Sequence, residues 1–169
     1  STLAGVDLFL MQSQADADRL LQLGAPRARI HVVGSLKWDA SLGSRPSDGV
    51  IRETAERLGL QSGETVLVAG STHRGEETVL LKAFGSLRSA HPSTRLILAP
   101  RHLERVPEVE HLAHRCGLAT LRLSDTSAAA RWDVGLVDAF GQLPRYYGLA
   151  SLVFIGGSLI PHGGQNPLE

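Results

Sequence analysis

Three stretches of this chain are apolar at nearly every position: "TVLVA" (65 to 69), "RLILA" (95 to 99) and "LVFI" (152 to 155). A strand with one wet face alternates apolar and polar residues. These runs do not, so they are expected to be buried on both faces, which calls for parallel pairing and crossover helices. Amphipathic segments lie between them. The fold class that follows is α/β, a Rossmann-like open, mainly parallel sheet with helices on both faces. The 169 residues, 43% hydrophobic and 20% charged, are enough for a substantial core. Lys plus Arg and Asp plus Glu both number 17, so no net field draws in nucleic acid or an anionic membrane, and any anion site must be local. Cys116 is the single cysteine, which excludes an internal disulfide framework. No apolar run nears the roughly 20 residues that span a bilayer. The chain opens without an initiator Met, and both ends are expected to be internal positions of a longer protein.

Strands are predicted at 6–11, 29–34, 65–70, 94–100, 119–123, 133–137 and 151–157. Helices are predicted at 13–24, 50–59, 75–90, 104–116 and 141–149, the first with Ser13 as N-cap, Asp16 at the capping-box position and Gly24 as its stop. The Ser, Gly and Pro of "SLKWDASLGSRPSDG" (35 to 49) have no apolar period and read as a connection. This divides the chain into a leading βα segment with linker, 1–45, and a Rossmann-like domain, 46–169, expected to be truncated at its C-terminus.

In open α/β sheets ligands bind beyond the carboxyl ends of the strands, which singles out four loops. In "AGSTHRGEE" (69 to 77), Ser71 and Thr72 precede a helix whose first turn holds Glu76 and Glu77. The hydroxyls either cap that helix while the glutamates complement its dipole, or the turn offers N–H groups to an anion. "LILAPRH" (96 to 102) puts Pro100, Arg101 and His102 where a buried strand exits, and an arginine there is a planar clamp for phosphate or carboxylate. "VDAFGQLPRYYGLA" (137 to 150) has Gly141 at a predicted helix start, open to close approach by a ligand. Its bland alternative is a tight turn with Leu143, Tyr147 and Leu149 facing the core. The fourth loop, "GGSLIPHGGQNPLE" (156 to 169), carries the strongest signal. Its paired glycines, with Gly157 and Ser158 as candidate donor-site residues, permit close approach, and "NPLE" reads as a helix start with Asn166 as N-cap and Pro167 at N1. Glu169 then either closes a capping interaction or accepts from a ribose diol.

Other chemistries are absent by pattern. There is neither a G-x-x-x-x-G-K-[ST] phosphate loop nor a G-x-S-x-G nucleophile elbow. "HLAHRC" (111 to 116) has no zinc spacing and lies on an amphipathic helix.

Taken together, "VGSLKWD", "AGSTHRGEE", "LILAPRH" and "GGSLIPHGGQNPLE" closely resemble the nucleotide-binding half of the 3-deoxy-D-manno-octulosonic acid (Kdo) transferases, and the resemblance covers nearly the whole chain. It implies one half of a GT-B fold, in which two Rossmann-like domains transfer Kdo from CMP-Kdo to a lipid A precursor with inversion, without a metal ion or other cofactor. The CMP contacts it implies are Pro100 and Arg101, then Phe140, Gly141 and Gln142, then Asn166, Pro167, Leu168 and Glu169. Ser71, Thr72 and His102 are expected near the donor. Gln142 stands where the family often has a carboxylate, and Gln165 where a His is common, so polar capacity is kept and charge is not. No catalytic residue is assigned within the chain, since the family's general base is a glutamate of the N-terminal domain. The implied partners are CMP-Kdo and, through that other domain, the lipid A precursor, with the parent at the cytoplasmic face of the inner membrane. The alternatives from the same loops are another GT-B member, a UDP-sugar transferase or epimerase, and a non-catalytic nucleotide-binding module.

Overall fold

The computed structural model describes residues 2–35, 46–125 and 131–164, and the chain divides into two compact units, residues 1–44 and a larger one from residue 45. The smaller unit is a βαβ element. Strands β1 (Phe9–Met11) and β2 (Ile30–Val32) pair in parallel. Helix α1 (Gln14–Gln22) joins them. Ser13 caps that helix by accepting from the Asp16 N–H at 3.2 Å, and Gly24 ends it at φ +88°.

The larger unit contains α2 (Asp48–Arg57), β3 (Thr65–Thr72), α3 (Glu76–Ala90), β4 (Thr94–Pro100), α4 (Val106–Arg115), β5 (Thr120–Arg122), β6 (Val134–Leu136), α5 (Leu143–Tyr147) and β7 (Leu152–Ile155). Its five strands among the described residues pair in the order β5-β6-β4-β3-β7, all parallel, in line with the α/β class read from the sequence. The continuous apolar runs are explained by their alternation. Ala69, Leu96 and Leu98 face a core built with Leu81 and Phe84 of α3 and Val106, Val109 and Ala113 of α4. Val66, Val68, Ile97 and Ala99 face a second core with Leu58 and with Tyr146 of α5. Helices therefore cover both faces, and each fully buried Leu or Phe contributes about 1.5–3 kcal/mol.

Two expectations fail here. The run "LVFI" is not buried on both faces: Leu152 is 64% and Val153 43% exposed. Strand β7 ends the sheet among the described residues and pairs with β3 alone, and an apolar run does not distinguish an edge strand from a central one. The helix expected over 141–149 is only the five residues of α5, because Pro144 fits only the first turn. Gly141, at φ +71°, lies in the loop before it. Leu143, Tyr147 and Leu149 are partly buried against the second core, as the bland reading had it, while Tyr146 is the fully buried residue of α5.

Candidate functional site

The carboxyl ends of β3, β4 and β6 border a cleft of about 200 Å³ lined by Ser71, Pro100, Arg101, Phe140, Gly141 and Leu143, among others. Ser71 enters it because β3 bulges. Gly70 pairs with Ala99 and Thr72 with Pro100, so Ser71 is the extra residue. At φ +52° it is the single non-glycine residue with positive φ among those described. Such bulges and strained backbones recur where a strand end re-aims a side chain at a site. Thr72 turns the other way. It is fully buried and its hydroxyl donates to Glu77 at 3.1 Å.

Neither hydroxyl caps α3. The N-cap is Gly75, at φ +99° and with no side-chain bond. Glu76 and Glu77 are not dipole complements on a wet helix face either, since both are 0% exposed. Glu76 accepts from the backbone N–H groups of His73 and Gly157 at 2.9 Å and of Ser158 and Leu159 at 3.0 Å. Burial works to raise its pKa, but these four donors outweigh it and hold the carboxyl below its usual range. Glu77 accepts from Arg105 at 2.8 and 3.3 Å. This ties the turn after β4 to the start of α3. The sequence reading missed Arg105 and both carboxylate roles. The "GEE" doublet at a helix start was their one visible trace.

The loop after β7 is thereby fixed. The N–H groups of Gly157 and Ser158 are taken by Glu76, and the Gly156 N–H donates to Gly70 O at 2.8 Å. A Cβ on Gly156 would lie 2.0 Å from the Ser71 carbonyl oxygen, so this glycine admits another backbone rather than a ligand. Gly157 O in turn accepts from Gly164 N at 2.9 Å.

Arg101 and Phe140 are exposed at the cleft, Phe140 at 82%. The Arg101 backbone N–H donates to Thr72 O at 2.9 Å, holding the exit of β4 against that of β3. Gln142 lines a neighbouring cavity of about 220 Å³ with Arg57, Asp138 and Arg145. His102 is exposed, with Nδ1 3.5 Å from Glu104 Oε1, and its ring meets that of His73 edge-on. The structure thus brings Ser71, Pro100, Arg101, Phe140 and Gly141 together and puts Thr72 inside the fold. Gln165, Asn166, Pro167, Leu168 and Glu169 lie outside the described residues, as does most of "VGSLKWD".

An arginine, an exposed aromatic ring and a glycine with open backbone, set at adjacent strand ends, can pair an anion and stack a planar base. The sequence model of the family described as 3-deoxy-D-manno-octulosonic-acid transferase (kdotransferase) matches residues 1–40. The chain is 36% identical over its whole length to a bifunctional glycosyltransferase/methyltransferase of Fusobacterium nucleatum, of which it spans 26%. It is 36% identical over 99% of its length to the 3-deoxy-D-manno-octulosonic acid transferase of Bordetella pertussis, of which it spans 39%. Among solved structures it is similar to the C-terminal CMP-Kdo binding domain of WaaA from Acinetobacter baumannii. That match has 31% identity and a TM-score of 0.64, and covers 72% of this chain and 65% of that one.

Proposed function

The chain belongs to the 3-deoxy-D-manno-octulosonic acid (Kdo) transferase family, and from that premise we propose that its sheet domain binds CMP-Kdo, as donor, for an inverting transfer to a lipid A precursor. One observation carries the reading. Pro100, Arg101 and Gly141, singled out in the loops that follow strands, and Phe140, implied by the family resemblance, line one cleft at the carboxyl edge of the sheet. The domain's share of the chemistry is to bind the donor, orient it and stabilise departing CMP. Arg101 pairs the phosphate, whose charge grows as the glycosidic bond breaks, so its bond strengthens toward the transition state. Phe140 offers its face to the pyrimidine, and Gly141 leaves the backbone open beside it. Asn166 to Glu169 take the ribose in this reading, on the strength of the sequence motif. The base for the acceptor hydroxyl is a glutamate of the transferase's other domain, so the present domain alone binds donor without turnover, and the whole enzyme works at the cytoplasmic face of the inner membrane. Charge neutralisation falls to Arg101, with no metal assigned.

Calorimetric titration of the chain with CMP, UMP and ADP tests the assignment. CMP is expected to bind at least about tenfold tighter than either competitor, since a lost base-specific hydrogen bond leaves a polar group unpaired. A preference for UMP or ADP would overturn it.

A further inference from the structure

His73, His102 and His162 follow three different strands, β3, β4 and β7, yet their rings gather. The His73 and His162 centroids are 4.3 Å apart with a 40° tilt, and His102 meets His73 edge-on at 6.3 Å. His102 directly follows Arg101 in the chain, and the sheet order places the group toward β7 from the cleft, which is bordered by β3, β4 and β6. Two of the carboxylates nearby are committed elsewhere. Glu76 serves four backbone N–H groups, and Glu77 serves Thr72 and Arg105. Glu104 stands beside His102. The pKa of His73 is held below its usual value, first by burial and then by the neighbouring His162, with His102 acting the same way and Glu76 and Glu77 opposing. No group of three or more His, Cys, Asp or Glu side chains among the described residues is arranged to hold a metal ion. Three imidazoles side by side repel one another when charged. An anion set among them offsets that repulsion and accepts N–H bonds from the protonated rings.

We propose that His73, His102 and His162 form a second anion subsite beside Arg101, which receives the carboxylate of the donor's sugar acid. The proposal rests on the CMP-Kdo reading. In that donor the carboxylate and the phosphate oxygen share the anomeric carbon. Two anions so close need adjacent but separate partners, and Arg101 and His102 are consecutive residues. Binding of the complete donor is coupled to proton uptake by the imidazoles, whereas binding of CMP does not engage the subsite.

The test is calorimetry of the 169-residue chain with freshly prepared CMP-Kdo and with CMP, at neutral pH in buffers of different ionisation enthalpy. Neither the phosphodiester nor the carboxylate of CMP-Kdo titrates near neutrality, so protons drawn from the buffer must land on the protein. We expect net uptake with CMP-Kdo. In His162→Gln that uptake falls and CMP-Kdo affinity drops by roughly tenfold, while CMP affinity stays within about twofold. The control His111→Gln, on α4, leaves both unchanged. CMP-Kdo binding without proton uptake would overturn the subsite alone, as would an equal loss of CMP affinity in His162→Gln, which would assign the imidazoles to the phosphate. A chain that binds neither ligand would overturn the cleft reading as well.

Discussion

The loops leaving β3 and β7 and the loops leaving β4 and β6 stand at the same edge of one sheet, but they are built to opposite rules. On the β3–β7 side the backbone donors are consumed: Glu76 takes four N–H groups, and Gly156 lies against the Ser71 carbonyl. On the β4–β6 side Phe140 is exposed, Arg101 lines open space, and a Cβ on Gly141 would meet nothing within 4 Å. Shared topology therefore does not make all strand-end loops equivalent. The backbone of one pair is scaffold, holding the bulge that aims Ser71 into the cleft while its side chains His73 and His162 face the proposed second subsite, and the other pair is left open for the nucleotide. Buried polar groups are satisfied within the fold on the first side.

Substitutions divide along that line. The largest effect is expected at Glu76→Ala, which strands four N–H donors and lowers unfolding free energy by about 3–5 kcal/mol in urea titrations. Gly156→Ala follows, at about 2–3 kcal/mol by the same measurement, because its Cβ meets backbone rather than a side chain that can swing away. Across the divide, Arg101→Ala is expected to lower CMP affinity by roughly 10- to 100-fold with a far smaller change in urea midpoint than Glu76→Ala, read by calorimetry beside the melt. Phe140→Ala costs less, about five- to tenfold in CMP affinity and nothing in stability, since one stacked face is lost from an exposed position. A stability loss at Arg101 or Phe140 as large as that at Glu76 would erase the distinction between the two sides.

The smallest effect is in the pH profile. Because the folded-state pKa of Glu76 lies below its ordinary 4.5, its contribution is complete above that pH and is lost as pH falls through the folded value. His73, lowered from its ordinary 6.5, penalises the folded state as pH drops below 6.5, since the unfolded chain then binds more protons. Urea midpoints should decline gently below pH 6.5 and more steeply below 4.5. The steeper limb should flatten in Glu76→Gln.

Most of the architecture could be read directly from residue patterns. The buried runs of β3 and β4, the Ser13 cap and the Gly24 stop announce themselves because burial and capping leave local composition signals. Strand β7 misleads, since "LVFI" looks the same whether or not a neighbour covers it. The open half of the site was visible too, as Arg101 at a predicted strand exit and Gly141 in the loop after a later strand, where a helix start was predicted. The closed half was not. A glutamate pair at a helix start is an everyday surface pattern, and only tertiary structure shows that Glu76 reaches the loop after β7. The approach of His162 to His73 has the same cause: it depends on β7 returning to pair with β3, which no local pattern encodes.

The central claim is that the β4–β6 side of the edge receives the nucleotide. Backbone amide shifts of the isotope-labelled chain, recorded while CMP is added, test it most directly. The account predicts that saturable changes centre on Ser71, Arg101, Phe140 and Gly141, while the apolar groove lined by Leu80, Phe84 and Phe154 stays silent. Changes centred on that groove or on residues 2–35, with Arg101 and Phe140 unmoved, would contradict it.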